Sequence, residues 1–155
     1  MMRVSHVRTV IVFAVFALCT TVVVQAQDVE FRSADNPYQE EFEYRLGEAL
    51  EPNVDIEGLR WTLVRIEPRD PEFDPDDDDV AVDLTAAFEN RGTDDVRAQI
   101  VVLLEDVDGR PLARLTLEPL RVRDGRAEEN DDRFEVPGTD LVALEKLYLF
   151  LELER

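Results

Sequence analysis

Residues 80–104 read VAVDLTAAFENRGTDDVRAQIVVLL, and the fold is decided here. Val80, Val82, Leu84, Ala86 and Phe88 alternate with Asp83, Thr85 and Glu89, the period-two pattern of a strand with one wet face. Asn90-Arg91-Gly92 supplies a turn, and Val96, Ala98, Ile100, Val102 and Leu104 then resume the alternation. Val101 and Leu103 are apolar on the opposite face of that second strand. This predicts a central position in a sheet or a covered back.

The same pattern extends outward on both sides. Upstream, Leu59, Trp61 and Leu63 alternate with Arg60 and Thr62 before Val64 and Ile66 take over the apolar role, which predicts a bulge near Leu63 and Val64. Residues 68–79, PRDPEFDPDDDD, carry three prolines and an acidic run and read as an exposed loop. Downstream, Asp106-Val107-Asp108-Gly109 is a turn, Leu112 to Leu117 a returning strand, and Pro119 marks an edge or bulge. Asp124-Gly125 turns again, and an acidic stretch through Asp132 precedes a short strand at Phe134 and Val136. The last strand, Leu147 to Leu153, sets leucines against Tyr148, Phe150 and Glu152. Six or seven short strands between Gly, Pro and Asp turns predict an all-β, immunoglobulin-like antiparallel sandwich over 59–155.

The N-terminal part reads differently. Arg3 and Arg8, a 15-residue apolar run from Val10 to Val24, and Val24-Gln25-Ala26 form a secretory signal peptide over 1–26, cleaved after Ala26. The run is shorter than the ~20 residues of a membrane-spanning helix, so no stable membrane insertion is expected after cleavage. Residues 27–58 form an N-terminal extension whose start, 27–37, is a flexible lead-in. Within it Tyr38, Phe42, Leu46 and Leu50 recur every four residues, which suits a short amphipathic helix; Gly47 weakens that pattern and leaves a strand open.

Residues 80–136 resemble the bacterial immunoglobulin-like domains of the FxLYD type. The resemblance lies in Phe88-Glu89-Asn90-Arg91-Gly92, in the strand from Val102 running into Asp106-Val107-Asp108-Gly109, and in Phe134-Glu135-Val136. Val102 and Glu105 stand where the family has its naming Phe and Tyr, and Asn130-Asp131-Asp132 stands in place of its Pro-Gly. The resemblance implies a binding or structural module of bacterial envelope and secreted proteins, and it brings no catalytic residues.

Composition narrows the chemistry. Cys19, His6, Met1 and Met2 all lie within the leader, so the chain beyond residue 26 has no thiol and no imidazole. Disulfides, thiolate metal sites and histidine catalysis are thereby excluded from it. Ser33 and Lys146 have no catalytic partner at a telling spacing, and among 36 acidic residues no pair stands out as a glycosidase dyad. Asp74, Asp76 and Asp78 repeat at the spacing of the first ligands of a calcium loop. Asp79 and Thr85 occupy the places where that loop needs Gly and Glu, so a Ca²⁺ site there competes with a solvated acidic loop; a looser site shared with Asp106 or Asp108 is a further alternative. Trp61, flanked by Leu59 and Leu63, reads as a core anchor rather than a stacking platform. Tyr148 and Phe150 face away from the leucines and need a cover, either the helix at Tyr38–Leu50 or a protein partner.

The expected function is an exported, non-catalytic binding or structural module of the cell envelope or extracellular space, with a protein partner and no cofactor. A Ca²⁺-stabilised adhesion module and a carboxylate-dependent hydrolase remain as alternatives. Nucleic acid is not an expected partner, because the arginines sit among carboxylates and form no basic patch.

The net charge is −19, and loss of Arg3 and Arg8 with the leader takes it to −21. Such a surface repels itself at low ionic strength and is screened at molar salt. Salt adaptation and a merely acidic, arginine-rich composition are equally compatible with this charge. A thermal melt across a NaCl series separates them: salt adaptation predicts a midpoint that climbs with salt, and a constant midpoint contradicts it.

Overall fold

The computed structural model describes residues 30–32 and 37–154; the expected leader and Ser33 lie outside them. Among the described residues the chain runs through β1 (Glu30–Arg32), β2 (Tyr38–Glu43), β3 (Val54–Ile56), β4 (Leu59–Pro68) and β5 (Val80–Asn90). It continues through β6 (Val96–Glu105), β7 (Pro111–Thr116), β8 (Leu120–Val122), β9 (Ala127–Val136), α1 (Gly138–Ala143) and β10 (Lys146–Glu154). Two sheets pack against each other, one ordered β1-β3-β4-β5-β9 and the other β2-β10-β6-β7, with β8 also on β6. The pairings are antiparallel apart from β1 with β3. The wiring of β4, β5, β9 in one sheet and β6, β7, β10 in the other follows that of an immunoglobulin-like sandwich. Here β2, from the N-terminal side, takes the sheet position that the last strand occupies in such a fold.

Alternation fills the space between the sheets. Trp61, Val64, Ile66, Val82, Leu84 and Phe88 come from the first sheet, and Ile100, Val102, Leu104, Leu147, Leu149 and Leu151 from the second, all buried. Trp61 sits directly opposite Phe88 in the β4–β5 register and stacks on it, with centroids 5.1 Å apart at 28°. Tyr38 reaches over from β2 to meet Trp61 edge-on at 6.1 Å, joining the two sheets. Each such aromatic pair contributes about 0.5–1.5 kcal/mol beyond its buried area. The indole Nε1–H donates to the Leu63 carbonyl at 3.0 Å, so Trp61 is a satisfied core anchor and no surface platform. The expected bulge falls between Trp61 and Leu63, which hands the inward role to Val64.

The stretch Tyr38–Leu50 is not a helix. Tyr38 to Glu43 forms β2, with Tyr38 and Phe42 turned inward and Gln39, Glu41 and Glu43 outward. A spacing of four is a multiple of two as well as close to a helical turn, so Tyr38 and Phe42 share one face in either conformation. Leu46 and Leu50 belong to the following loop, where Gly47 adopts φ +82° and Leu50 bridges to Val64. That loop closes the edge of β4: the Tyr44 hydroxyl accepts from the Ile66 N–H at 2.8 Å and donates to the Ile66 carbonyl at 3.2 Å. Burial pushes the Tyr44 phenol up to about 12, so it stays neutral in this role.

Two further expectations change. Residues 27–58 are more than an extension, since β1 and β3 belong to the first sheet and β2 to the second. The acidic stretch before Phe134 is part of β9, paired with β5 along its length from Val80↔Val136 to Glu89↔Ala127. As an edge strand β9 needs no apolar alternation, and its charges discourage pairing with another chain. Pro119 falls in the break between β7 and β8, as an edge proline should.

The loop connections bring the acidic loop 69–79, the turn 106–109 and α1 to one end of the sandwich. Gly138 is required there, because a Cβ would lie 2.6 Å from the Asp74 carbonyl oxygen; its N–H donates to the Asp77 carbonyl at 2.8 Å. At the opposite end, buried Asn90 donates through Nδ2 to the carbonyls of Asp94 and Val122 and accepts from the Gly92 N–H. The turn foreseen at Asn90-Arg91-Gly92 is thus tied to β8 as well.

Candidate functional site

The register of β10 between β2 and β6 decides which side chains reach the outer face of the second sheet. Phe150 lies opposite Gln39 and Val101, Tyr148 opposite Glu41 and Leu103, and Lys146 opposite Glu43 and Glu105. Same-face positions along a strand are about 7 Å apart, so three rows follow one another along the face. Val101, Leu103, Tyr148, Phe150 and Arg114 line a depression of about 180 Å³. Val101 is only 6% exposed, while Leu103, Tyr148 and Phe150 are half-buried. The Tyr148 hydroxyl donates to Gln39 Oε1 at 2.9 Å, leaving the ring bodies and Leu103 as an apolar strip. The helix expected to cover Tyr148 and Phe150 is instead β2, which lies beside β10 in the same sheet.

Beyond the strip the face turns acidic. Lys146 Nζ is 2.9 Å from Glu41 Oε1, and this neighbour chiefly holds the ammonium charged, raising its pKa. Glu105 is 8% exposed, and its carboxylate takes part in no hydrogen bond or ion pair among the described residues. Burial first, and then the charge of Glu41, push the Glu105 carboxyl above its ordinary range, against the opposing pull of Lys146. Glu105 had read as the end of a strand running into a turn. Its position opposite Lys146 depends on a pairing 41 residues away in sequence.

The outer face of the other sheet contrasts with this one. Arg65, Glu67, Asp83, Thr85, Asp131 and Arg133 line a polar depression of about 360 Å³ there. Asp83 pairs with Arg69 at 3.3 Å and Arg133 at 3.7 Å, and the Thr85 hydroxyl donates to Asp131 Oδ1 at 2.6 Å. Asp83, Arg69, Arg133, Thr85 and Asp131 satisfy one another and suit contact with water, whereas Arg65 Nε is buried without a hydrogen bond, 3.6 Å from Glu67 Oε2.

The aspartates proposed for calcium are dispersed. Asp74 Oδ1 accepts from the Asp76 N–H at 3.0 Å, as in an Asx turn. The depression beside the loop is lined by Asp70, Asp74, Asp77 and Asp79, and neither Asp76 nor Asp78 lines it. Asp106 Oδ1 accepts from the N–H groups of Asp108 and Arg110, holding its own hairpin turn. Among the described residues no three His, Cys, Asp or Glu side chains gather as a metal site would require. Also among them, no helix is long and apolar enough to cross a membrane.

No family model matches this chain, and no curated protein matches it. The site therefore rests on geometry alone.

Glu105 generates a prediction. A carboxyl whose pKa is raised by folding favours the fold when protonated, and that contribution is lost as pH rises through the folded-state value. At neutral pH the ionised group therefore weighs against the fold. Glu105→Gln should melt higher than the parent at pH 7, with the difference shrinking as pH falls through the folded-state value and gone below about pH 4, near the unfolded glutamate value. Equal melting at pH 7, or a variant that is the less stable one there, contradicts this account of Glu105.

Proposed function

We propose that this chain is an exported, non-catalytic module that binds another protein of the cell envelope or extracellular space. The reading takes residues 1–26 as a leader removed after Ala26. The observation that carries it is the strip of Val101, Leu103, Tyr148 and Phe150, which faces outward from the second sheet with no described element over it. Aromatic side chains with an apolar body and a polar tip are favoured at protein interfaces, and Tyr148 is of this kind. The turn signatures shared with FxLYD-type domains support the same role.

The hydrolase alternative is less well supported. Glu105 and Glu41 are neighbouring carboxylates, one with a raised pKa, yet neither lines the depression of about 480 Å³ beside Tyr44 and Val107. The depression beside their own face is about 180 Å³, below the ~300–1,000 Å³ of sites that enclose a ligand. The dispersed aspartates likewise give the calcium-stabilised alternative little support.

The test is a photo-crosslinking residue placed at Phe150 and, as a control, at exposed Glu67 on the opposite outer face, in protein produced by its native host. Irradiation at position 150 should give an adduct of one discrete mass in the envelope or medium fraction, with none from position 67. Adducts from neither position, or the same adducts from both, contradict the proposed binding face.

A further inference from the structure

The partner's chemistry can be read from the same face, and this step rests on the binding reading above. Glu105 is more than nine-tenths buried, accepts no hydrogen bond from a described residue, and lies one row beyond Leu103 on the apolar strip. The side chain is largely enclosed, yet its carboxylate oxygens keep contact with solvent at the face, where a cation delivered by a ligand can reach them. Glu41, Glu43 and Glu105 share the single ammonium of Lys146, whose closest approach is to Glu41. The end of the strip therefore carries an excess of negative charge around a solvent-facing carboxylate.

We propose that the outer face of β2-β10-β6-β7 docks an extended, cationic and amphipathic segment of a partner polypeptide. Its lysine or arginine head meets Glu105, and its apolar side chains lie over Leu103, Tyr148 and Phe150. In an extended chain alternate side chains are about 7 Å apart, which matches the row spacing along β10. A cation at one position and apolar groups two and four residues on then meet successive rows. A second copy of this chain is a poor occupant, because it would bring the same carboxylates against these and, once Arg3 and Arg8 leave with the leader, a charge of −21 against −21. An anionic lipid surface is disfavoured for the same reason.

The test is an NMR titration of the protein, in about 0.15 M salt, with the blocked pentapeptide Lys-Thr-Leu-Thr-Phe and its counterpart Glu-Thr-Leu-Thr-Phe. The proposal expects the lysine peptide to move the signals of Leu103, Glu105, Tyr148 and Phe150. Affinity should fall about tenfold on Glu105→Gln or with the glutamate peptide, and stay unchanged on Asp78→Asn. A melting curve of Glu105→Gln establishes that the variant is folded. Equal shifts in the acidic loop 74–79, with equal loss on Asp78→Asn, would mean unspecific charge attraction and overturn the proposal. Equal binding of both peptides to parent and Glu105→Gln overturns the cation assignment while leaving an apolar binding face. Strip signals unmoved by either peptide at millimolar concentration overturn the proposal and count against the binding face itself.

Discussion

The pairing of β10 between β2 and β6 governs the rest of the structure. It sets Leu147, Leu149 and Leu151 against Leu104, Val102 and Ile100 on the inner face. Because side chains alternate with a period of two, a slip of one residue would turn Tyr148 and Phe150 into the core and three leucines out. The inward leucines thus fix the outward aromatics. Strand β6 obeys the same constraint from its own side, since a strand apolar on both faces must send Val101 and Leu103 outward when Ile100, Val102 and Leu104 are buried.

Charge complements this arrangement. The loop 69–79 and the edge strand β9 carry acidic runs, and the outer face of the first sheet neutralises itself through Asp83 with Arg69 and Arg133. Surface pairs of this kind contribute little to stability, but they keep that face wet. The outer face of the second sheet is the one where apolar area adjoins a carboxylate, Glu105, that no described side chain pairs with. Its asymmetry with the opposite face is the physical basis for the functional reading.

Much of the fold was legible in the sequence, and particular residues show why the rest was not. The alternations of Leu59–Ile66, Val80–Phe88, Val96–Leu104 and Leu147–Leu153 translate directly into β4, β5, β6 and β10, and the change of phase near Leu63 and Val64 signals the bulge that the register places between Trp61 and Leu63. The Tyr38–Phe42 spacing was compatible with two periods, and only the pairing with β10 resolves it as a strand. β9 was hidden because an edge strand held by main-chain bonds to β5 can be acidic along most of its length. Of the site, Tyr148 and Phe150 were visible as the wrong-face aromatics of a leucine strand. The Lys146–Glu41 pair and unpartnered Glu105 were not, since they are created by register between strands distant in sequence.

Beyond residue 26 the chain has no cysteine, so a thiol can be introduced at one chosen position once Cys19 is replaced by serine. Maleimide labelling of the native protein at Phe150→Cys and at Leu149→Cys tests the β10 register and the openness of its outer face together. The account predicts rapid reaction at position 150 and protection at 149 until the protein unfolds. Protection at both positions, or the reverse order of reactivity, would contradict it.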